Sequence, residues 1–211
     1  MVQFYNDNAS VLAQQYQSLS AHDVHSAWLT LLQNPALQGP LQILDVGAGS
    51  GRDAAFLANY RSGNQVVAVE PATTLAVLGK EHTHGLAVSW WNASLPDLTG
   101  IDGEYELILL SAVWMHLPPE QRPSALTRLA ELLSTQGILI ISLRLTITED
   151  DKLNRNMFDV SVAELACMAN EAGLQCQLMD EPETDKLGRP ISWQTVALTH
   201  CSVSCSSSES Q

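Results

Sequence analysis

Residues 41–60, LQILDVGAGSGRDAAFLANY, pass from a short apolar run through three alternating glycines into a helical pattern. Gly47, Gly49 and Gly51 fall where a strand hands over to a helix. A turn that tight needs backbone conformations and close approaches that a Cβ obstructs, and the helix behind it presents free N–H groups. The stretch therefore predicts a strand over 41–46, a ligand-cradling loop, and a helix over 52–60. Its glycine spacing is not G-x-G-x-x-G, and no Lys-Ser or Lys-Thr follows, so neither a dinucleotide fingerprint nor a triphosphate loop is indicated.

Outward from this stretch the pattern alternates. Apolar runs at 65–70 (QVVAVE), 86–91 (LAVSWW), 105–111 (YELILLS) and 137–144 (GILIISLR) read as strands, and 73–80 and 119–133 read as helices. Runs that are apolar almost throughout suit parallel strands covered on both faces. Further on come a helix at about 161–172 and strands at 174–179 and 193–199, with a charged loop between the two strands. Upstream, 8–32 reads as two helices broken near SLSAHD, closed by NPALQGP. The expected class is α/β: a doubly wound, Rossmann-like, seven-stranded and mostly parallel sheet with an antiparallel C-terminal strand and N-terminal helices. Residues 1–38 are expected to form an N-terminal helical cap, 39–200 the Rossmann-like domain, and 201–211 a disordered Ser-rich tail.

Bulk properties narrow the function classes. A 211-residue chain with 45% hydrophobic content can bury one domain's core. The net charge of −13, from 23 acidic and 10 basic residues with no basic cluster, disfavours nucleic-acid partners, whose affinity rests on phosphate neutralisation. No apolar run is long enough to span a bilayer, and MVQFYNDNAS has neither a basic nor an apolar leader region, so a cytoplasmic protein without membrane attachment is expected. Cys167 and Cys176 read as reduced and structural, and the Cys201/Cys205 spacing without a nearby His is a poor zinc signature, so no metal is expected.

Glu70 closes QVVAVE about 20 residues beyond the glycines, where an acidic side chain can accept hydrogen bonds from a ribose diol. Ribose recognition beside a loop that does not suit a triphosphate points to S-adenosylmethionine. At these residues the sequence resembles the class I S-adenosylmethionine-dependent methyltransferases. The resemblance runs from about 5 to 199 and is carried by ILDVGAGSGRDAAFLA, VVAVEPA, WNASLPDL, YELILLSAVWMHLPPEQR and LAELLSTQGILIISLR. It implies that Asp45, Gly47, Gly49 and Gly51 line the methionine part of the cofactor and that Glu70 takes the ribose hydroxyls. By the same resemblance Asn92 contacts the adenine, Ser111 faces the transferring methyl, and Tyr16 closes over the cofactor.

Methyl transfer from a sulfonium is an in-line displacement, in which positioning and exclusion of water supply much of the acceleration. A base is needed only where the acceptor loses a proton on attack, and His116 in AVWMHLPP is the candidate. Acceptor contacts are expected from loops at the carboxyl ends of the strands, namely Trp114, Arg144, Arg189 and Trp193, a set that suits a planar or anionic small molecule. The reading is a methyltransferase acting on a small molecule. The alternatives are a catalytically silent S-adenosylmethionine sensor or partner subunit, and an RNA or protein methyltransferase.

Overall fold

A computed structural model describes residues 1–201 of the chain. The Ser-rich tail expected over 201–211 thus lies outside the described residues, Cys201 excepted. Three short helices open the chain: α1 (Val2–Asp7), α2 (Ala9–Gln17) and α3 (Ala21–His25), followed by 3-10 turns at Leu29–Gln33 and Pro35–Leu37. Where the periodicity suggests two helices over 8–32, the chain makes shorter pieces. Asn8 closes α1, and the Ser20 hydroxyl accepts from Asp23 N–H to start α3.

The alternating unit then follows as β1 (Gln42–Val46), α4 (Arg52–Tyr60), β2 (Gln65–Val69), α5 (Thr73–His82), β3 (Val88–Trp91) and β4 (Tyr105–Leu110). After a 3-10 turn at Trp114–His116 come α6 (Arg122–Leu132), β5 (Leu133–Arg144), α7 (Glu149–Arg155), α8 (Val162–Glu171), β6 (Leu174–Leu178), β7 (Glu183–Thr184) and β8 (Ser192–His200). The sheet order is β3-β2-β1-β4-β5-β8-β6, with the two-residue β7 paired to β8 as an eighth strand. β1 to β5 pair in parallel, and β8 runs antiparallel to both β5 and β6.

Residue alternation along the strands explains the layering. Ile43, Leu107, Leu109, Ile138 and Ile140 face a layer built on Trp28, Leu32, Leu37 and Leu57, while Leu44, Ile108, Leu110, Leu139 and Ile141 face one built on Leu126, Leu129 and Trp114. Both faces are buried, which is why these strands read as unbroken apolar runs. α2 is pinned separately, through Ala9 and Ala13 against Ala72 and Leu75 at the start of α5. In this order β1 lies between β2 and β4, so the chain reverses its winding there and opens a crevice at the carboxyl ends of those strands. Among the described residues no helix is long and apolar enough to cross a membrane.

Candidate active site

A cavity of about 450 Å³ occupies that crevice. Its floor is the loop after β1, where Gly47, Gly49 and Gly51 all adopt left-handed φ (+72°, +56° and +79°). The three glycines do different things. A Cβ on Gly47 would come within 2.5 Å of Val113, so its absence lets the loop meet the segment after β4. Gly51 is pressed from behind, its would-be Cβ 3.0 Å from Gly79 O and Thr83 and 3.1 Å from Trp90. Only Gly49 has room, with nothing nearer than Leu75 and Tyr16 at 3.8 Å. Gly47 and Gly49 line the cavity and Gly51 does not.

Glu70, immediately after β2, holds the loop's shape. Its Oε2 accepts from Gly49 N–H (2.9 Å) and its Oε1 from Ala72 N–H (2.7 Å). Each carboxylate oxygen takes one backbone donor and keeps a lone pair. Burial raises the Glu70 pKa, against the pull of those two N–H groups, and among the described residues no Lys or Arg pairs with it. A cradle with space over Gly49 and an acidic acceptor with spare lone pairs fits an adenosyl ribose.

The other expected cofactor residues divide. Tyr16 and Ser111 line the cavity. Asp45 lies beneath the loop, fully buried, with Oδ2 unpartnered. Burial, and then the nearby Asp53 carboxylate, push its pKa well up. Asp53 is held low despite burial by His25 (3.0 Å) and by a two-pronged contact from Arg52 (2.7 and 2.8 Å). Asn92 is exposed and does not reach the cavity; its neighbours Ala93, Ser94 and Leu95 do, because β3 ends at Trp91 and the chain turns inward after Asn92.

On the far side the expected acceptor residues also divide. Arg144, Arg189, Trp193 and His116 line the same cavity. Trp114 does not: it is 1% exposed and packs with Leu110, Leu117 and Leu126 in the core. The 3-10 turn over Trp114–His116 sends the two side chains apart, the indole into the sheet layer and the imidazole toward the cavity.

His116 is bonded on both nitrogens. Nδ1 faces the Arg155 carbonyl at 3.1 Å, which can only accept, so Nδ1 carries the proton and Nε2 accepts from the Tyr5 hydroxyl at 2.9 Å. Arg155 Nη2 donates in turn to Tyr5 Oη at 2.9 Å, closing a ring of three residues. Burial, and then the Arg155 charge, lower the His116 pKa to about 4. Its acceptor lone pair is occupied by the Tyr5 hydroxyl, an arrangement that suits holding Tyr5 more than taking a proton directly.

Arg144 is buried at the end of β5 and reaches Asp151 in α7. Thr148 starts α7 with a capping box in which its side chain receives Asp151 N–H while Asp151 accepts from Thr148 N–H. Burial would raise Asp151, but the Thr148 hydrogen bonds and the two guanidiniums hold it below the ordinary carboxylate range. Arg155, at the end of α7, approaches the other oxygen of Asp151 at 3.4 Å. Arg189 makes a two-pronged pair with Asp185 (2.7 and 2.9 Å), and Trp193 Nε1 donates to the same carboxylate at 3.0 Å. Sequence reading missed Arg155 and α7 as site elements. Their signal was present in TEDDKLNR: Thr148 followed at the third place by an acid, acids in the first turn and bases in the last.

Residues 43–137, from β1 into β5, match the methyltransferase domain family. Over these residues the chain is similar to the class I S-adenosylmethionine-dependent methyltransferases. No curated protein matches this chain. Among solved structures it is similar to a S-adenosylmethionine-dependent methyltransferase from Leishmania major (TM-score 0.72, 18% identity, 94% of this chain and 81% of that one). It is also similar to a TehB-like methyltransferase from Corynebacterium glutamicum (0.66, 17%, 92% and 99%). A third is magnesium protoporphyrin IX methyltransferase from Synechocystis, solved with bound S-adenosylmethionine (0.63, 16%, 93% and 84%). At such identities these likenesses speak for the fold, and the family match speaks for the chemistry.

Proposed function

We propose that the protein transfers a methyl group from S-adenosylmethionine to a small-molecule acceptor, with the cofactor over Gly47 and Gly49 and the acceptor at the His116, Arg144, Arg189 and Trp193 end. One observation carries this reading: a single cavity runs from the glycine loop to that arginine-lined end, which gives donor and acceptor one continuous space. Glu70 would hold the ribose hydroxyls, Ala93, Ser94 and Leu95 would border the adenine in place of Asn92, and Tyr16 would cover the loop. Residues 1–38 serve as the cap, since Tyr5, Leu12 and Tyr16 form part of the wall.

The bound cofactor supplies an electrophilic methyl on a sulfonium. What the chain contributes is geometry. Ser111 and the strained Ala112 (φ +60°), whose N–H donates to Ser142 Oγ at 2.8 Å, fix the wall beside the loop. Arg122 stiffens the next segment by donating to the Leu117 and Asp159 carbonyls (3.2 and 2.9 Å). Water exclusion and alignment then account for the acceleration, and His116 acts by fixing Tyr5 rather than by taking the proton itself. The acidic surface supports a small acceptor over RNA.

Calorimetry with S-adenosylmethionine and S-adenosylhomocysteine, followed by a metabolite screen read out as S-adenosylhomocysteine release, tests the proposal. Binding with acceptor-dependent release is expected. Absence of binding overturns it, and binding with no release from any acceptor favours the silent sensor.

A further inference from the structure

We propose that the methyl acceptor carries a carboxylate or similar small anion, and that Arg155, backed by Arg144, is its anchor; this rests on the methyltransferase reading above. Five of the chain's ten Lys and Arg residues (Arg52, Arg144, Arg155, Lys186 and Arg189) line this one cavity in a protein of net charge −13. Three of the five are matched. Arg52 has Asp53, Arg189 has Asp185, and Lys186 has Glu183 at 2.8 Å. Asp180, a further acid on the wall, faces the Thr195 N–H at 2.7 Å. Glu70, the remaining acid of the wall, is turned to the Gly49 and Ala72 N–H groups, so Arg144 and Arg155 share the single carboxylate of Asp151, one guanidinium more than that carboxylate balances.

Arg155 holds the surplus. Arg144 takes the close contact with Asp151 and also donates to the Thr146 carbonyl (3.0 Å), while Arg155 reaches Asp151 only at 3.4 Å. Its Nε is buried and without a partner. A guanidinium has five N–H donors in a rigid fork suited to a carboxylate, and most of those on Arg155 are free. The side chain is also immobilised before any ligand arrives: it sits 5.5 Å from the centroids of both the Phe4 and Tyr5 rings, donates to Tyr5 Oη, and its backbone carbonyl receives His116 Nδ1–H. A pre-oriented cation that is largely withdrawn from solvent (side chain 18% exposed) and lacks a full counter-charge favours an anion that completes it. The cavity is where that anion enters.

The cofactor's own carboxylate is the other source of such an anion, and the test separates the two. The full chain is loaded with S-adenosylhomocysteine and titrated with benzoate and with benzamide, which match in shape and differ in charge. Benzoate is expected to bind at least tenfold more tightly than benzamide. Arg155→Gln should remove that preference and leave S-adenosylhomocysteine affinity within twofold, and Arg155→Lys, which keeps the charge, should retain part of it. Equal affinity for the two probes in the wild type, or no benzoate binding, overturns the proposal without recourse to any variant. A tenfold loss of S-adenosylhomocysteine affinity in Arg155→Gln overturns it by assigning the guanidinium to the cofactor. Failure of the wild type to bind S-adenosylhomocysteine overturns the methyltransferase reading itself.

Discussion

The two ends of the cavity are built by opposite means. The end proposed for the cofactor is assembled from neighbours in the chain: the loop after β1, Glu70 after β2 and Ala72 beside it, joined by hydrogen bonds from backbone N–H groups to the Glu70 carboxylate. The end proposed for the acceptor is assembled from distant pieces, with Tyr5 of α1 bonded to His116, 111 residues on, and to Arg155, 150 residues on. One end depends on what glycine backbone permits, the other on whether remote elements dock. Substitutions at the first should therefore act on cofactor affinity, and substitutions at the second on stability, pH response and acceptor handling.

The largest effect should come from Trp114→Ala, because the indole is core rather than cavity wall. A loss of about 3–5 kcal/mol in unfolding free energy is expected by denaturant titration, with cofactor affinity of the folded fraction within about twofold. A large loss of acceptor turnover with unchanged stability would return Trp114 to the acceptor site.

His116 gives the next. Its folded pKa of about 4 lies below the ordinary 6.5, so the folded state binds fewer protons than the unfolded one. The associated stability is complete above about pH 6.5 and is lost as pH falls through about 4, up to about 3 kcal/mol in all. His116→Gln should flatten that part of a stability-versus-pH profile and lower the rate of the chemical step less than tenfold. A hundredfold loss, together with loss of a pH-dependent step near neutrality, would restore it as a base.

At the cofactor end, Glu70→Ala should weaken S-adenosylhomocysteine binding by about 1.5–3 kcal/mol, tenfold to over a hundredfold, by calorimetry. It also frees the Gly49 and Ala72 N–H groups, so a lower melting temperature should accompany the loss. Because burial raises the Glu70 pKa, affinity should fall on acidification at a higher pH than an ordinary carboxylate would dictate. Unchanged affinity in a folded variant would remove Glu70 from the site. The smallest effect is expected from Asn92→Ala, which should leave affinity within twofold; a tenfold loss would bring that amide back to the adenine.

The same contrast explains what the sequence disclosed. Strands β1, β2 and β4 and helix α4 were legible within a residue or so, because their signals are contiguous apolar runs punctuated by glycine. Glu70 was legible because its place follows from a strand end. Trp114 and His116 could not be told apart, since both follow β4 and only the hand of one 3-10 turn decides which points inward. Arg155 was missed because α7 is a polar helix with little periodicity to announce it, and because its partner Tyr5 lies at the other end of the chain. Gly51 shared the glycine pattern while serving packing behind the loop, a distinction that spacing does not encode.

Gly79 on α5 belongs to that packing. A Cβ there would fall 2.2 Å from Trp90 and 3.0 Å from the Gly49 carbonyl, and Gly79's own carbonyl is what a Cβ on Gly51 would strike. Positions 51, 79 and 90 are thus bound to drift together over evolutionary time: a methyl group can be gained at 79 only after the indole at 90 has given way. The width of the cradle is set from outside it, by a hydrogen atom on a helix that a ligand-centred comparison of sequences would pass over.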